Sequence, residues 1–135
     1  MGPAGPGVVT MSSERADNYR WFLEDGVAVV EGIDRELNQP EQVHDLGLQL
    51  RALLAQKPAD KMLLNFDATR DMGSTAFAVL FEFVKAASEA GVKLLICGMH
   101  PDIRIGADIL SLGEFIPIVD DEPAAMAALR ASRPT

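Results

Sequence analysis

The sequence predicts one α/β domain. It should hold a mixed, mostly parallel sheet of about five strands, an N-terminal antiparallel hairpin and about four helices, in the order ββαβαβαβα. Three observations lead there. Short apolar runs bounded by turn residues alternate with longer stretches in which apolar residues recur every three or four positions. Strands separated by helices require parallel crossovers, which are right-handed. An Asp-Gly pair between two β-branched and aromatic runs marks a hairpin ahead of the first helix.

Residues 1–17 read as a flexible arm and 18–132 as the domain. In "YRWFLEDGVAVVEGI" (19–33), Asp25-Gly26 supplies the positive φ angles of a type I′ turn. Tyr19, Trp21 and Leu23 alternate with Arg20, Phe22 and Glu24, as in a strand with two unlike faces. The second strand is more continuously apolar and should lie deeper. "DRELNQPEQ" is a polar break, and Pro40 suits a first helical turn. Val43, Leu46, Leu50, Leu53 and Leu54 then form one apolar stripe, which Gly47 weakens modestly. "KMLLNFD" (61–67) is a buried strand and "ATRDMG" the loop after it. From Ser74 to Ala90 the period is helical, with Ala76, Phe77, Leu80, Phe83, Val84 and Ala87 on one face. Gly91 stands where a left-handed C-terminal residue belongs. "VKLLIC" (92–97) is the next strand. Pro101 opens a short helix containing Ile103, Ile105, Ile109 and Leu110, which Gly113 stops. "FIPIV" (115–119) is a last strand, and Pro117 places it at an edge. Asp120 or Asp121 caps a final helix through about Arg130.

Composition narrows function. Twenty Asp and Glu against 12 Lys and Arg give a net charge of -8. That sign repels nucleic-acid phosphates and anionic lipid heads, so neither nucleic acid nor membrane is expected as partner. The single cysteine, Cys97, allows no internal disulfide and fits a reducing cytoplasm. No apolar run reaches membrane-spanning length. Cys97 reads as a buried core thiol. His44 and His100 lack partners at metal-ligand spacing, and "DDE" (120–122) reads as helix-start acids, so no metal or cofactor is expected. Hydrolase-elbow, phosphate-loop and dinucleotide patterns are absent. With no nucleophile–base pair, the protein reads as a non-enzyme. A receiver-like domain would need an acidic pair, which Asp34 and Glu36 could offer, but the last strand is followed by acids rather than Lys.

The stretch "DMGSTAF" holds the most informative polar residues. In an open α/β sheet, ligands and modifications favour loops at the carboxyl ends of parallel strands. Here those are 67–74, 97–101 and 119–122. Ser74 opens a helix. Its oxygen is either a plain N-cap or a phosphate acceptor at a helix end whose free N–H groups and partial positive charge tolerate an anion.

The order and spacing of these pieces resemble a STAS domain, the fold of bacterial anti-sigma factor antagonists. "LLNF" resembles the family's strand, "GSTAF" its D-S-x-G-L helix start, and "AGVKLLICG" the following turn and strand. "LSLGEFIPIVDDEPAAMAAL" is similar to its ending. The likeness covers about residues 19 to 130. It implies a regulatory module that binds an anti-sigma factor, often a serine kinase, in a cytoplasmic sigma-factor pathway. It implies that the kinase phosphorylates Ser74, with Thr75 a second choice. The family's acid falls on Gly73 and its Gly on Ala76, and Asp71 is the nearest acid upstream. Asp71, Met72, Gly73, Ser74 and Thr75 would form the partner surface, extended by His100, Asp102 and Arg104. Two alternatives stay open: a STAS scaffold without a phospho-switch, and a small-molecule-binding α/β domain using the 97–101 loop. Exposed Trp21 or Phe22 on an edge strand would allow a homodimer.

Overall fold

The computed structural model describes residues 14–15 and 18–131, with side chains from residue 18 onward. Strand β1 (Glu14–Arg15) pairs antiparallel with β2 (Arg20–Glu24), and β2 pairs antiparallel with β3 (Val27–Glu31). The β2–β3 turn is the expected hairpin: Asp25 has φ 51° and Gly26 φ 77°, both positive as a type I′ turn requires. Arg20 and Glu31 stand opposite each other across the pair and form an ion pair of 2.6 Å. Glu14 and Arg15 lie in the stretch expected as a flexible arm, yet they form a strand. The rest of that stretch lies outside the described residues.

After β4 (Glu36–Leu37) comes α1 (Pro40–Gln56), with Pro40 at its first position. Next are β5 (Lys61–Asn65), β6 (Asp71–Met72), α2 (Ser74–Glu89) and β7 (Lys93–Cys97). The chain ends with α3 (Pro101–Ile109), a single 3₁₀ turn at Leu112–Glu114, β8 (Ile118–Val119) and α4 (Glu122–Ala131). The main sheet has the order β1-β2-β3-β5-β7-β8, and β3, β5, β7 and β8 are mutually parallel. Strands β4 and β6 form a separate parallel pair.

Strands β3, β5 and β7 read as continuous apolar runs because both their faces are covered. Ala28, Val30, Met62, Leu64, Leu94 and Ile96 point to the side of α1, α2 and α3. Val27, Val29, Leu63, Leu95 and Cys97 point to the other side, where Ala125, Met126 and Leu129 of α4 cover them. The period-2 alternation of a strand thus feeds two cores at once. The α1 stripe is buried as expected. Gly47 does more there than weaken a helix: a Cβ would sit 2.9 Å from Cγ1 of Val79, so its absence lets α1 and α2 pack closely. Asp121 caps α4, its Oδ1 accepting the Ala124 N–H at 2.9 Å.

Four expectations change. The polar break and the loop after the 61–67 strand contain β4 and β6, whose two residues each are too short for a periodic signal. The 115–119 strand shrinks to Ile118–Val119, as expected at the sheet edge. Phe115 instead follows the 3₁₀ turn and is 65% exposed. Gly113 lies within that turn, and α3 ends earlier, at Ile109. Trp21 and Phe22 are half-buried against the two cores, and β2 has a strand on each side. The edge-strand route to a homodimer therefore has no basis in those two residues.

Gly98 has φ 76°, and a Cβ there would meet Asn65 Oδ1 at 2.8 Å and Asp67 N at 3.0 Å. Gly98→Ala should cost about 1–3 kcal/mol in urea unfolding, through strained backbone and crowding. A loss below about 0.5 kcal/mol, the level of an ordinary surface change, would show that the loop yields. The Cys97 thiol is pushed from 9.0 up to about 12, first by burial and then by Glu122, Asp121 and Asp67. Burial also raises Tyr19 from 10.0 to about 12. Both groups stay neutral when folded but ionise earlier when unfolded. The stability that these two groups contribute should be constant below pH 9 and be lost as pH rises from there toward 12. Urea midpoints at about pH 8 and about pH 10.5 should show the fall, and Cys97→Ala should lessen it.

Candidate functional site

The start of α2 is built by two chain segments. Residues 66–69 leave β5 in a tight turn, with Thr69 N donating to Phe66 O at 2.9 Å. Thr69 is buried, and its hydroxyl donates to the carbonyls of Ile33 (3.3 Å) and Asp34 (3.0 Å). Arg70 N and Asp71 N both donate to Arg35 O, at 2.7 and 3.2 Å. Glu36 and Leu37 then stand opposite Asp71 and Met72 in the β4–β6 pair, and Gly73 N donates to Leu37 O at 2.9 Å. Asn38 Nδ2 completes the clip by donating to Asp71 Oδ2 at 2.5 Å.

This clip sets the helix boundary one residue earlier than a capping serine would. Gly73, not Ser74, is the N-cap, and its carbonyl accepts from Ala76 N and Phe77 N. The plain N-cap reading of Ser74 is therefore corrected. Ser74 is the first helical residue and is exposed. Its hydroxyl makes no hydrogen bond among the described residues. An N1 side chain points away from the N–H groups that a cap residue reaches, which explains the difference. Thr75, next along, is exposed as well. Gly73 keeps an extended backbone (φ -82°, ψ 174°) that any residue could adopt, and Asn38 and Leu37 lie 3.7 Å from where its Cβ would be.

The sequence-predicted residues fall into two neighbouring groups. Asp71, Met72, Gly73, Ser74 and Thr75 form a continuous stretch, with Met72 and Gly73 half-buried and the others exposed. His100, Asp102 and Arg104 belong to α3, which packs beside β6 and α2. The ring of Phe77 lies 3.1 Å from where a Gly106 Cβ would be. The polar groups of α3 are largely engaged with one another. His100 is the N-cap, and its Nδ1 accepts the Asp102 N–H at 3.3 Å. Arg104 pairs with Asp108 at 3.2 Å. Asn38, Arg35 and Leu37 are the residues that sequence reasoning missed. They follow the first parallel strand on the same side as the loop to α2, but a polar hexapeptide carries no periodic signal.

The third carboxyl-end loop is acidic. Asp67, Asp121 and Glu122 all act on Cys97, and Asn65 Nδ2 donates to Glu122 Oε1 at 2.9 Å. Gly98 is packed against Asn65 and Asp67. The 97–101 loop thus offers an anionic small molecule like charge and little space. Cys97 is buried, as expected for a core thiol. Among the described residues no cluster of three or more His, Cys, Asp or Glu could hold a metal ion, and no helix is long and apolar enough to cross a membrane.

A search of curated protein sequences gives no match. Among solved structures, similarity extends to TM1081 of Thermotoga maritima, a candidate anti-sigma factor antagonist. The TM-score is 0.73 and the identity 16%, with 83% of this chain and 94% of that one covered. An anti-sigma factor antagonist of Mycobacterium paratuberculosis is similar at TM-score 0.69 and 18% identity, covering 94% and 98%. The phosphorylated form of the Bacillus cell fate determinant SpoIIAA is similar at TM-score 0.56 and 12% identity, covering 87% and 97%. At these identities the likeness is one of fold. The family model for the STAS domain matches residues 27–125, from the second strand of the hairpin to the last helix. The hairpin, the three buried parallel strands and the clipped start of α2 all lie in or directly beside that span, and the chain belongs to the STAS domain family.

Proposed function

We propose that this chain is an anti-sigma factor antagonist of a bacterial cytoplasm. In this reading it binds an anti-sigma factor or serine kinase through the start of α2, and phosphate on Ser74 ends the binding. The observation that carries the reading is the Ser74 hydroxyl, exposed and unspent at the first position of α2. It follows the loop from a central parallel strand, where such sheets place their chemistry. The backbone amides of Ser74 and Thr75 have no backbone acceptor among the described residues. A phosphate on Ser74 would stand near the positive end of a 16-residue helix, where the helix dipole favours an anion.

The same phosphate would add about -1.5 to -2 charge to a partner surface. Asp71, Met72, Gly73 and Thr75 make up that surface, with His100, Asp102 and Arg104 on the adjoining helix. A contact that accepts a neutral hydroxyl would have to bury a dianion beside Asp71, and unpaired buried charge is costly. The protein is then substrate and ligand of the kinase, and it catalyses nothing itself. The solved forms of SpoIIAA, phosphorylated and unphosphorylated, support the reading by likeness of fold.

One observation favours a second reading, a STAS scaffold without a switch. Gly73 stands where the family has an acid, and the nearest acid, Asp71, is held by Asn38. The two readings part on simple variants. Peptide mapping of protein from its host should find phosphate on the Ser74 peptide. Ser74→Ala should retain the anti-sigma partner in pull-down, and Ser74→Asp should lose it. A partner that binds all three forms alike would establish the scaffold.

Gly73→Asp is predicted to fold and to stabilise α2. The backbone there is ordinary, a Cβ has room, and aspartate caps a helix better than glycine does. The gain in a thermal or urea melt should be a few tenths to about 1 kcal/mol. A destabilised variant would show that the clip relies on a bare backbone at this position.

A further inference from the structure

The exposed apolar residues of this chain are not scattered. Among the described residues five large hydrophobics are exposed, and four of them lie between residues 105 and 115: Ile105 (58%), Ile109 (76%), Leu110 (45%) and Phe115 (65%). Single exposed hydrophobics need no explanation, but four within one eleven-residue segment point to a contact surface. Ile105 and Ile109 are one turn apart on the outer side of α3, while Ile103 and Ala107 of the same helix face the core. Phe115 stands edge-on to Phe81 of α2, with ring centres 5.6 Å apart and planes at 79°. Beside Phe115 lies a groove of about 600 Å³ along α2, lined by Phe81, Val84, Lys85 and Ser88 and flanked by Glu82 and Glu89.

We propose that the strip formed by Ile105, Ile109 and Phe115, with the groove over Phe81, docks a basic amphipathic helix of a partner protein. The shape fits the helix-in-groove mode, in which apolar anchors recur every three or four residues. An aromatic ring at the mouth of a groove is the usual energetic anchor of such a contact. Charge selects the occupant. Glu82 and Glu89 line the groove against Lys85, Glu114 directly precedes Phe115 in the chain, and the Arg104–Asp108 pair of α3 neutralises itself. The whole chain carries -8. A second copy would bring the same excess of carboxylates to the contact, and an anionic membrane would be repelled. A helix with an apolar face and Lys or Arg on its flanks is attracted on both counts. This surface lies along α2 and α3 beyond the Ser74 turn and requires no modification of that residue.

The test uses the isotope-labelled full chain and a synthetic helical peptide of about five turns, with Leu on one face and Lys and Arg on the other. Its amide shifts should concentrate at residues 81–89 and 105–115, and binding should weaken as salt shortens the screening length. Ile109→Ser combined with Phe115→Ser should weaken binding by about tenfold or more. Ile109 is exposed and Phe115 gives up only its edge contact with Phe81, so the melting temperature should fall by no more than a few degrees. Ile105→Lys should give a loss of the same kind by placing like charge in the strip. Leu48→Ser, on an exposed leucine of α1, should change nothing. The proposal is overturned if the variants bind as the wild type does, if a scrambled peptide of the same composition binds equally, or if the shifts lie elsewhere. It is also overturned if the peptide fails to bind while the wild type forms a dimer, or binds anionic vesicles, in a manner that the double variant abolishes.

Discussion

The start of α2 depends on a clip made by the segment that leaves β3. Residues 33–38 present a row of carbonyls, and residues 69–73 present a hydroxyl and backbone amides that donate to them. Thr69 is the innermost part. A buried hydroxyl that lost its acceptors would cost about 1–3 kcal/mol, so the two segments are held together from within. Outward from Thr69 the contact becomes a two-residue parallel ladder and then a single glycine amide bonded to Leu37. The position of Ser74 in the helix follows from where this ladder stops. The amide of Gly73 is its last rung, and helical geometry begins one residue later.

That placement decides how the serine hydroxyl is used. In the N-cap position it would accept a backbone N–H and contribute roughly 1 kcal/mol to the helix. At the first helical position it contributes no cap, and glycine serves as the N-cap, a poorer but adequate one. The rest of the helix carries the difference, since Ala76, Phe77, Leu80, Phe83, Val84 and Ala87 are buried. Tertiary packing rather than capping holds most helices in proteins. A helix anchored by so many buried side chains can keep its first hydroxyl free for another use, whether or not a kinase exploits it.

Much of the fold was legible because its strongest signals are also its strongest forces. The two periodic helices, the Asp-Gly turn and the three continuous apolar strands correspond to burial that dominates the energetics. The unread parts were those set by individual hydrogen bonds rather than by a periodic apolar pattern. Strands β4 and β6 have two residues each, and no side-chain pattern announces them. The helix boundary at Gly73 and the shortened last strand have the same origin, since each is decided by which carbonyl a single amide reaches. At the site, the stretch 71–75 was legible as a helix start after a central strand. The contribution of Arg35, Leu37 and Asn38 was not, because it depends on their proximity in space rather than in sequence.

Helix α3 shows how far residue type misleads without contacts. Its sequence showed a short apolar helix with polar neighbours, but not which isoleucines turn inward. His100 spends its Nδ1 on the helix cap, and Arg104 spends its guanidinium on Asp108. Ile103 and Ala107 suffice to bury the inner side, because Gly106 lets the ring of Phe77 come close. A nine-residue helix with one narrow buried stripe has no room in the core for Ile105 or Ile109. They stand in water and add little burial to the fold. The capping imidazole and the Arg104–Asp108 pair thus help to set the helix, and Ile105 and Ile109 are the large apolar side chains that its outer side exposes.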